Sequence, residues 1–496
     1  MSKRYRTDCE RPLWYNSTLQ KAKQCKRKAE RKYRKCPNEE NKTNFHKIRN
    51  EYTKKLINRR TEFFKNKISV SLNEPRTLFK NLNKISGTTK KEVLPTYDTN
   101  QNIADHFSKY HINKILNIRN NINNQNISLS FKNNLSTESP ILFQKFETIN
   151  PSDFAKVIKS MKKKFSDLDP IPTTLLTNSL EILSPILLHT TNQIITNASF
   201  PTTLKFGLIK PIPKNLKNSI QDLKNFRPIF SLPFVSKVVE RVLYEQLEEH
   251  LEINNLHAYS QSAYRKFNSC ETTMINITDD IQQHLSDNKY VALILLDNSC
   301  AFDTVDHTIL CKKLECNFYL GKQAVQLIKS YLNNRSFSVK VRDARSMNQS
   351  LHHGVPQGSL LGPLLYIMYT KEIEAIANKY KMQISLYADD IQLYVSFNLD
   401  NQHQIKSDIL NCLSEIKTYM DLNFLKINTD KTQLKLFKPN RINLNYNLNF
   451  NGTTLECLNE INILGVKISN NLDLSKFISK KVQVCSYKLR NLTFIY

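Results

Sequence analysis

The sequence predicts a mixed helix-and-strand fold, α/β or α+β, behind a basic helical extension, and three observations carry that expectation. Between residues 206 and 420, short apolar runs alternate with longer amphipathic stretches. Hydrophobic residues make up 40% of the 496 and glycine only 8, which is enough apolar matter for a core and too little glycine for a disordered or collagen-like chain. The formal charge of +28 is lopsided: residues 1–91 hold 27 Lys and Arg against 8 Asp and Glu, a net of +19 that leaves +9 for the remainder. The length suggests about three domains or one large multi-lobed one.

In chain order, the segment from Pro12 to about Asn83 is rich in Lys and Arg, with aromatics from Trp14 to Phe79 interleaved. Phe45, Ile48, Tyr52 and Leu56 recur at helical spacing, so two or three long amphipathic helices are expected. So many uncompensated cations repel one another unless a polyanion neutralises them. A nucleic acid fits that role, and an anionic membrane surface is the rarer choice. Asn-rich stretches at Asn113–Asn134 and Asn440–Asn451 read as surface loops. Between them, strands are expected at Phe206–Ile209, Val291–Leu296, Ile384–Leu386 and Ile391–Val395. Helices are expected at Phe234–Leu251, Thr272–Leu285, Gln323–Leu332 and Ile405–Met420.

No apolar run approaches the roughly 20 residues of a membrane helix, and no apolar leader precedes the basic segment, so an intracellular protein without a membrane partner is expected. The ten cysteines include no C-x-x-C pair. Cys311 and Cys316 lack a matching His or Cys pair, so reduced thiols are expected, with neither a disulfide framework nor a zinc site.

The chemistry is carried by carboxylates. Val291–Leu296 is a continuous apolar run ending abruptly in Asp297, as in a buried strand that delivers a carboxylate at its end. Gln383–Val395 alternates polar and apolar residues around Asp389 and Asp390, the pattern of a β-hairpin with an acidic pair at its turn. Side by side, these strands bring Asp297 and Asp389 to one sheet edge. Crowded carboxylates call for hard cations such as Mg²⁺, and two such ions about 4 Å apart clamp the attacking and leaving oxygens of a phosphoryl displacement.

Tyr387-Ala-Asp-Asp390 resembles the Y/F-x-D-D box of reverse transcriptases, and Leu296–His307 resembles the A box of non-LTR, LINE-type retrotransposon polymerases. Gly354–Pro363 is similar to their B box. Asn225–Ile229, Gln261–Lys266, Leu425–Thr432 and Leu464–Val466 match further boxes in order, while Asp167–Thr173 and the Trp14-led segment resemble the upstream extension of jockey-like elements. The resemblance implies an α+β right-hand polymerase fold with fingers, palm and a partial thumb. The implied divisions are a basic RNA-binding extension at 1–95, a helical and Asn-rich connector at 96–150, fingers with the N-terminal extension at 151–289, palm at 290–468 and the start of a thumb at 469–496.

By the same resemblance, Asp297, Asp389 and Asp390 are the catalytic metal ligands for two Mg²⁺ ions, with Mn²⁺ as a substitute. Phe302 is the ring that excludes a ribonucleotide's 2′-hydroxyl. Lys210 and Arg227 hold the triphosphate, with Lys214 as a rival to Lys210. Gln357 and Gly358 contact the template or incoming base, the glycines of this loop letting backbone approach the templating pair. Lys431 supports the departing pyrophosphate, and Leu464 and Gly465 form a primer-grip turn. Asp303, Asp306 and His307 read as structural. Asn298, Ala263, Tyr264 and Phe230 depart from the family pattern without removing a carboxylate.

The implied activity is RNA-directed DNA synthesis on a template RNA, extending a DNA primer at a target site with dNTPs, in a cytoplasmic ribonucleoprotein and the nucleus. The rivals are the same palm enzyme making RNA on an RNA template, against which Phe302 argues, and a catalytically inactive RNA-binding remnant. An endonuclease domain is expected upstream in the full element, and the chain reads as truncated at both ends.

Overall fold

The computed structural model describes residues 12–71, 74–85, 94–97, 99–123, 141–161, 166–214, 219, 221–439, 444, 446–470 and 472–493. The chain divides into two compact units, residues 1–92 with 475–496, and residues 93–474.

In the first unit, α1 (Ser17–Lys35) and α2 (Glu39–Ser71) pack as a helical hairpin, followed by α3 (Pro75–Ile85). Asn16 starts α1 by accepting from the Leu19 N–H at 3.0 Å, and Glu39 and Glu40 complement the dipole at the start of α2. The buried or half-buried positions of α1 are Leu19, Ala22, Lys26, Ala29, Glu30 and Tyr33. Their three-to-four spacing makes a narrow coiled-coil-like seam, and the Tyr33 ring stacks on Phe45 of α2 at 6.1 Å and 9°. The Lys and Arg off that seam face solvent, so this unit has little core. Residues 1–11 of the basic segment lie outside the described residues.

The second unit holds the core. Its central antiparallel sheet runs β11–β3–β9–β8, with β3 Tyr290–Leu296, β8 Gln383–Tyr387, β9 Asp390–Phe397 and β11 Gln433–Phe437. Alternate residues of β3 enter different cores. Ala292, Ile294 and Leu296 join the large cluster with helices Phe234–Ile253, His307–Cys316, Lys322–Leu332 and Leu361–Tyr369. Val291 and Leu293 pack with helix Cys270–Ser286 and with the hairpin of β14 (Ile461–Ile463) and β15 (Val466–Ile468). A strand covered on both faces reads as continuous apolar sequence, as Val291–Leu296 does.

A second sheet joins β1 (Phe206–Pro213), antiparallel β2 (Phe226–Ser231) and parallel β5 (Arg335–Val341), with β6 (Ala344–Arg345) and β7 (Gln349–Leu351) at β5. The helix α4 (Asn100–Asn123) packs on this sheet: Phe107 meets Phe226 edge-on at 5.0 Å, and His111 meets Phe337 at 5.5 Å. Short strands β4 (Asn298–Ser299) and β10 (Lys426–Ile427) pair beyond the end of β3.

Both Asn-rich loop expectations need correction. Residues 113–123 are the second half of α4, because Ile115, Ile118 and Ile122 fall on one buried helical face while most of the asparagines face out. Residues 124–134 lie outside the described ones. In the later stretch, residues 440–443 and 445 are likewise outside, but Asn447–Phe450 forms β12, paired with β13 (Thr453–Glu456). Leu448 and Phe450 are buried there, alternating with exposed Asn447 and Asn449.

Candidate active site

Strand register assembles the acidic cluster. β3 pairs with β9 so that Leu296 faces Ile391, which sets Asp297, the next residue, beside Asp390. The hairpin β8–β9 closes with Tyr387 opposite Asp390 and with Ala388 and Asp389 at its tip. Ala388 sits at φ 57°, a left-handed conformation that non-glycine residues adopt at some cost. Its neighbours hold it there. The buried Gln261 carboxamide oxygen accepts from the Ala388 N–H at 3.1 Å and from the Ala263 N–H at 3.0 Å. Ser260 and Ser262 bracket Leu386 with backbone hydrogen bonds of 2.9 Å. Asn298 donates its amide to the Asp389 carbonyl at 2.9 Å. Gln261 is therefore a supporting residue that the sequence reading left inside an unassigned box.

The carboxylates are electrostatically crowded. Desolvation raises the pKa of Asp389, and Asp297 adds repulsion that Arg227 offsets. Asp390, exposed by area at its edge but flanked by protein, is pushed up to about 6, first by desolvation and then by Asp389 and Asp297. Lys431, at the end of the 3₁₀ turn Thr429–Lys431, donates to the Asp297 carboxylate at 2.9 Å. Hard oxygen ligands that disfavour one another's charge suit a divalent cation by chemistry. Among the described residues, no three His, Cys, Asp or Glu side chains already stand gathered as a metal cluster. Asp297 is engaged by Lys431 in this arrangement.

Asp297, Asp389 and Lys431 border a cavity of about 770 Å³, while Asp390, next to Asp297 in the strand register, is not among its lining residues. Arg227 lines it from β2 and Lys214 from just beyond β1, and Phe302, Gln357 and Gly358 line it too, the last two beside Phe230 of β2. The Phe302 ring lies on Tyr366 at 4.5 Å and 30°, and the Gln357 side-chain amide donates to Asp303 at 3.1 Å. Gly354 (φ 83°) and Gly358 (φ 119°) have a duty within the fold that the sequence did not show. A Cβ would come within 2.5 Å of the Asp303 carbonyl oxygen at Gly354 and of the Phe230 carbonyl oxygen at Gly358, so the close approach is to the chain's own backbone.

Three sequence expectations meet different surroundings. Lys210 is outside the cavity. Ile209 and Pro211 face it, so strand alternation turns Lys210 to the opposite side, where it pairs with Asp167 at 2.7 Å; of these two rivals it is Lys214 that lines the cavity. Leu464 and Gly465, at φ 47° and 87°, form the tight turn of β14–β15 but are not among the cavity residues. Asp303, read as structural, lines the cavity as a buried carboxyl whose pKa is raised by desolvation. Asp306 and His307 do hold structure. Asp306 caps helix His307–Cys316 and pairs with Arg119 at 2.7 Å, and His307 Nε2 lies 2.8 Å from the Gly354 carbonyl.

The cavity has a further wall that the motif reading did not include: Tyr110, His111 and Lys114, all from α4. Their only signal in the sequence is the helical spacing of the isoleucines beside them.

Among the described residues, no helix is long and apolar enough to cross a membrane. The model of the family described as reverse transcriptase (RNA-dependent DNA polymerase) matches residues 212–468. The chain is 27% identical over 317 residues to a probable RNA-directed DNA polymerase from transposon BS of Drosophila melanogaster, covering 61% of this chain and 34% of that protein. It is 31% identical over 205 residues to the probable RNA-directed DNA polymerase from transposon X-element of the same fly, covering 40% and 22%. To the RNA-directed DNA polymerase from mobile element jockey of Drosophila funebris it is 27% identical over 300 residues, covering 58% and 31%. The chain thus spans 34% or less of the length of these curated relatives.

Proposed function

The chain belongs to the reverse transcriptase (RNA-dependent DNA polymerase) family, and from that premise we propose that it is the RNA-directed DNA polymerase of a non-LTR, LINE-type retrotransposon. It would extend a DNA 3′ end on an RNA template with dNTPs. The observation that carries this reading is the register of β3 against β9, which sets Asp297 beside Asp390 and the Asp389 turn at the floor of a cation-lined cavity.

In this reading Asp297, Asp389 and Asp390 would hold two divalent ions, Mg²⁺ or in its place Mn²⁺. When bound, such ions make the primer 3′-hydroxyl a better nucleophile and neutralise charge on the leaving pyrophosphate. The chain's own residues do the positioning. Arg227 offers a planar fork to phosphate oxygens, and Lys214 adds a point charge beside it. Lys431 is free to turn to the leaving group once Asp297 exchanges it for another cation. Phe302, braced against Tyr366, blocks the space of a 2′-hydroxyl, and Gln357, held by Asp303, is placed for the template or incoming base.

The central sheet is then the palm, and the β1–β2 hairpin with its neighbours the fingers. The thumb begins at residue 469, and Leu464 and Gly465 serve as the primer-grip turn. The basic α1–α2 hairpin would bind template RNA, its exposed cations matching a phosphate backbone. The expected setting is a cytoplasmic ribonucleoprotein and the nucleus, with the full element supplying an endonuclease.

The test is primer extension by the purified chain on an RNA template with a DNA primer, dNTPs and Mg²⁺. Incorporation is expected, and Asp389→Asn should abolish it. A folded wild-type chain that binds RNA but incorporates nothing would instead support an inactive RNA-binding remnant.

A further inference from the structure

We propose that Lys114 of α4 is a triphosphate-binding residue of the cavity, so that the nucleotide is gripped from outside the segment that matches the polymerase family. The inference rests on the polymerase reading and adds to it a contact from Lys114, 98 residues (212 − 114) upstream of the start of the family match at residue 212.

The case begins with how α4 is held. Near its start Phe107 packs edge-on against Phe226 of β2. Near its end Arg119 pairs with Asp306 at 2.7 Å, donates to the Thr304 carbonyl at 3.2 Å and lies over the Phe424 ring at 3.9 Å. The helix is thus tied both to the sheet that carries Arg227 and to the loop that follows Asp297. Lys114 stands between these ties and lines the cavity beside Cys300.

Charge accounting then points to a ligand. Five Lys and Arg side chains line the cavity. Lys224 is paired with Asp222 at 2.7 Å and Lys431 with Asp297 at 2.9 Å. Lys114, Lys214 and Arg227 have no carboxylate partner among the described residues. Desolvation opposes the charge of Lys114, yet its pKa lies above the ordinary lysine value, with Cys300, which accepts a hydrogen bond from it, and then Tyr110 and Asp303 as its favourable neighbours. Lys214 feels the reverse: desolvation and then repulsion from Lys114 and Lys431 hold its pKa down. Cations that repel one another across a cavity are stabilised by a multivalent anion between them, and a triphosphate is such an anion, with charge-assisted hydrogen bonds available to each. A thiol neighbour leaves the Lys114 ammonium with donors to spare.

The experiment is equilibrium titration of the full chain, with RNA template and DNA primer, by a fluorescent deoxynucleoside triphosphate, with inorganic tripolyphosphate as competitor. Lys114→Gln should weaken both ligands by about tenfold, Lys114→Arg should restore most of that, and Lys109→Gln, on the exposed face of α4, should change neither. In steady state Lys114→Gln should raise KM for dNTP with little change in kcat. Should that variant fold poorly, the wild-type chain still decides the matter: bound dNTP should shield Lys114 from acylation as read by mass spectrometry. Unchanged affinity in Lys114→Gln, or a Lys114 that is acylated equally with and without dNTP, overturns the proposal. If the triphosphate binds through Lys114 while no dNTP is incorporated, the polymerase reading fails and this one stands. If Lys114→Gln incorporates dNTP with an unchanged KM, only this one fails.

Discussion

The two sheets of the larger unit reach the same cavity by opposite means. The central sheet brings its carboxylates by backbone: Asp297, Asp389 and Asp390 sit at or one residue beyond the ends of buried, register-locked strands. The β1–β2–β5 sheet and the helix packed on it bring cations by side chain: Arg227 comes from β2, Lys214 from beyond β1 and Lys114 from α4, while Lys431 comes from the 3₁₀ turn that leads into β11 of the central sheet. Long side chains tolerate a shift of their element, whereas a carboxylate at a strand end has little reach of its own. The acidic half should therefore be intolerant of change and the basic half graded.

The largest expected effect is Asp297→Asn, which should reduce primer extension by about 10³-fold or more, since several kcal/mol of charge stabilisation is removed from a fixed position. Next, Arg227→Ala should cost about 10- to 100-fold in kcat/KM for dNTP, with Lys214→Ala smaller because its neighbours share the load. If Arg227→Ala matched Asp297→Asn, the contrast between the two sheets would be lost. Phe302→Ala should leave dNTP use within a few-fold and admit ribonucleotides, measured as rNTP incorporation on the same template.

The smallest effect concerns stability in metal-free buffer. The Asp390 carboxyl titrates near 6 when folded against 3.8 as the ordinary value. Between those values the folded chain holds more protons than the unfolded one, so its contribution to stability falls as pH rises through the window. Asp390→Asn should remove that slope and raise Tm near neutral pH by about 2 °C or more in chelator, while lowering activity. A Tm that falls would mean the cluster is not repulsive in the absence of cations.

Much of the central sheet could be read directly. Val291–Leu296 and the alternation around Asp389 are local patterns, and burial on two faces or one leaves different marks in sequence. Around the cations less was legible. Lys210 and Lys214 are four residues apart in one Lys-Pro-Ile-Pro-Lys run, and only the facing of Ile209 and Pro211 separates their sides. The asparagines of α4 hid a helix, because an exposed face can be polar of any kind while three isoleucines do the packing. Gly358 does line the cavity, but the missing Cβ atoms of Gly354 and Gly358 also make room for the carbonyls of Asp303 and Phe230, two segments far away in sequence.

By itself the sequence determined the acidic strand ends, the hairpin, the basic extension and the family, since each is written in neighbouring residues or in the order of short motifs. Tertiary structure decided which lysine enters the cavity, that Gln261 braces the Asp389 turn, and that α4 supplies a wall with Lys114 in it. Those outcomes depend on contacts between segments tens to hundreds of residues apart, and such contacts leave no period or spacing in the chain to be read.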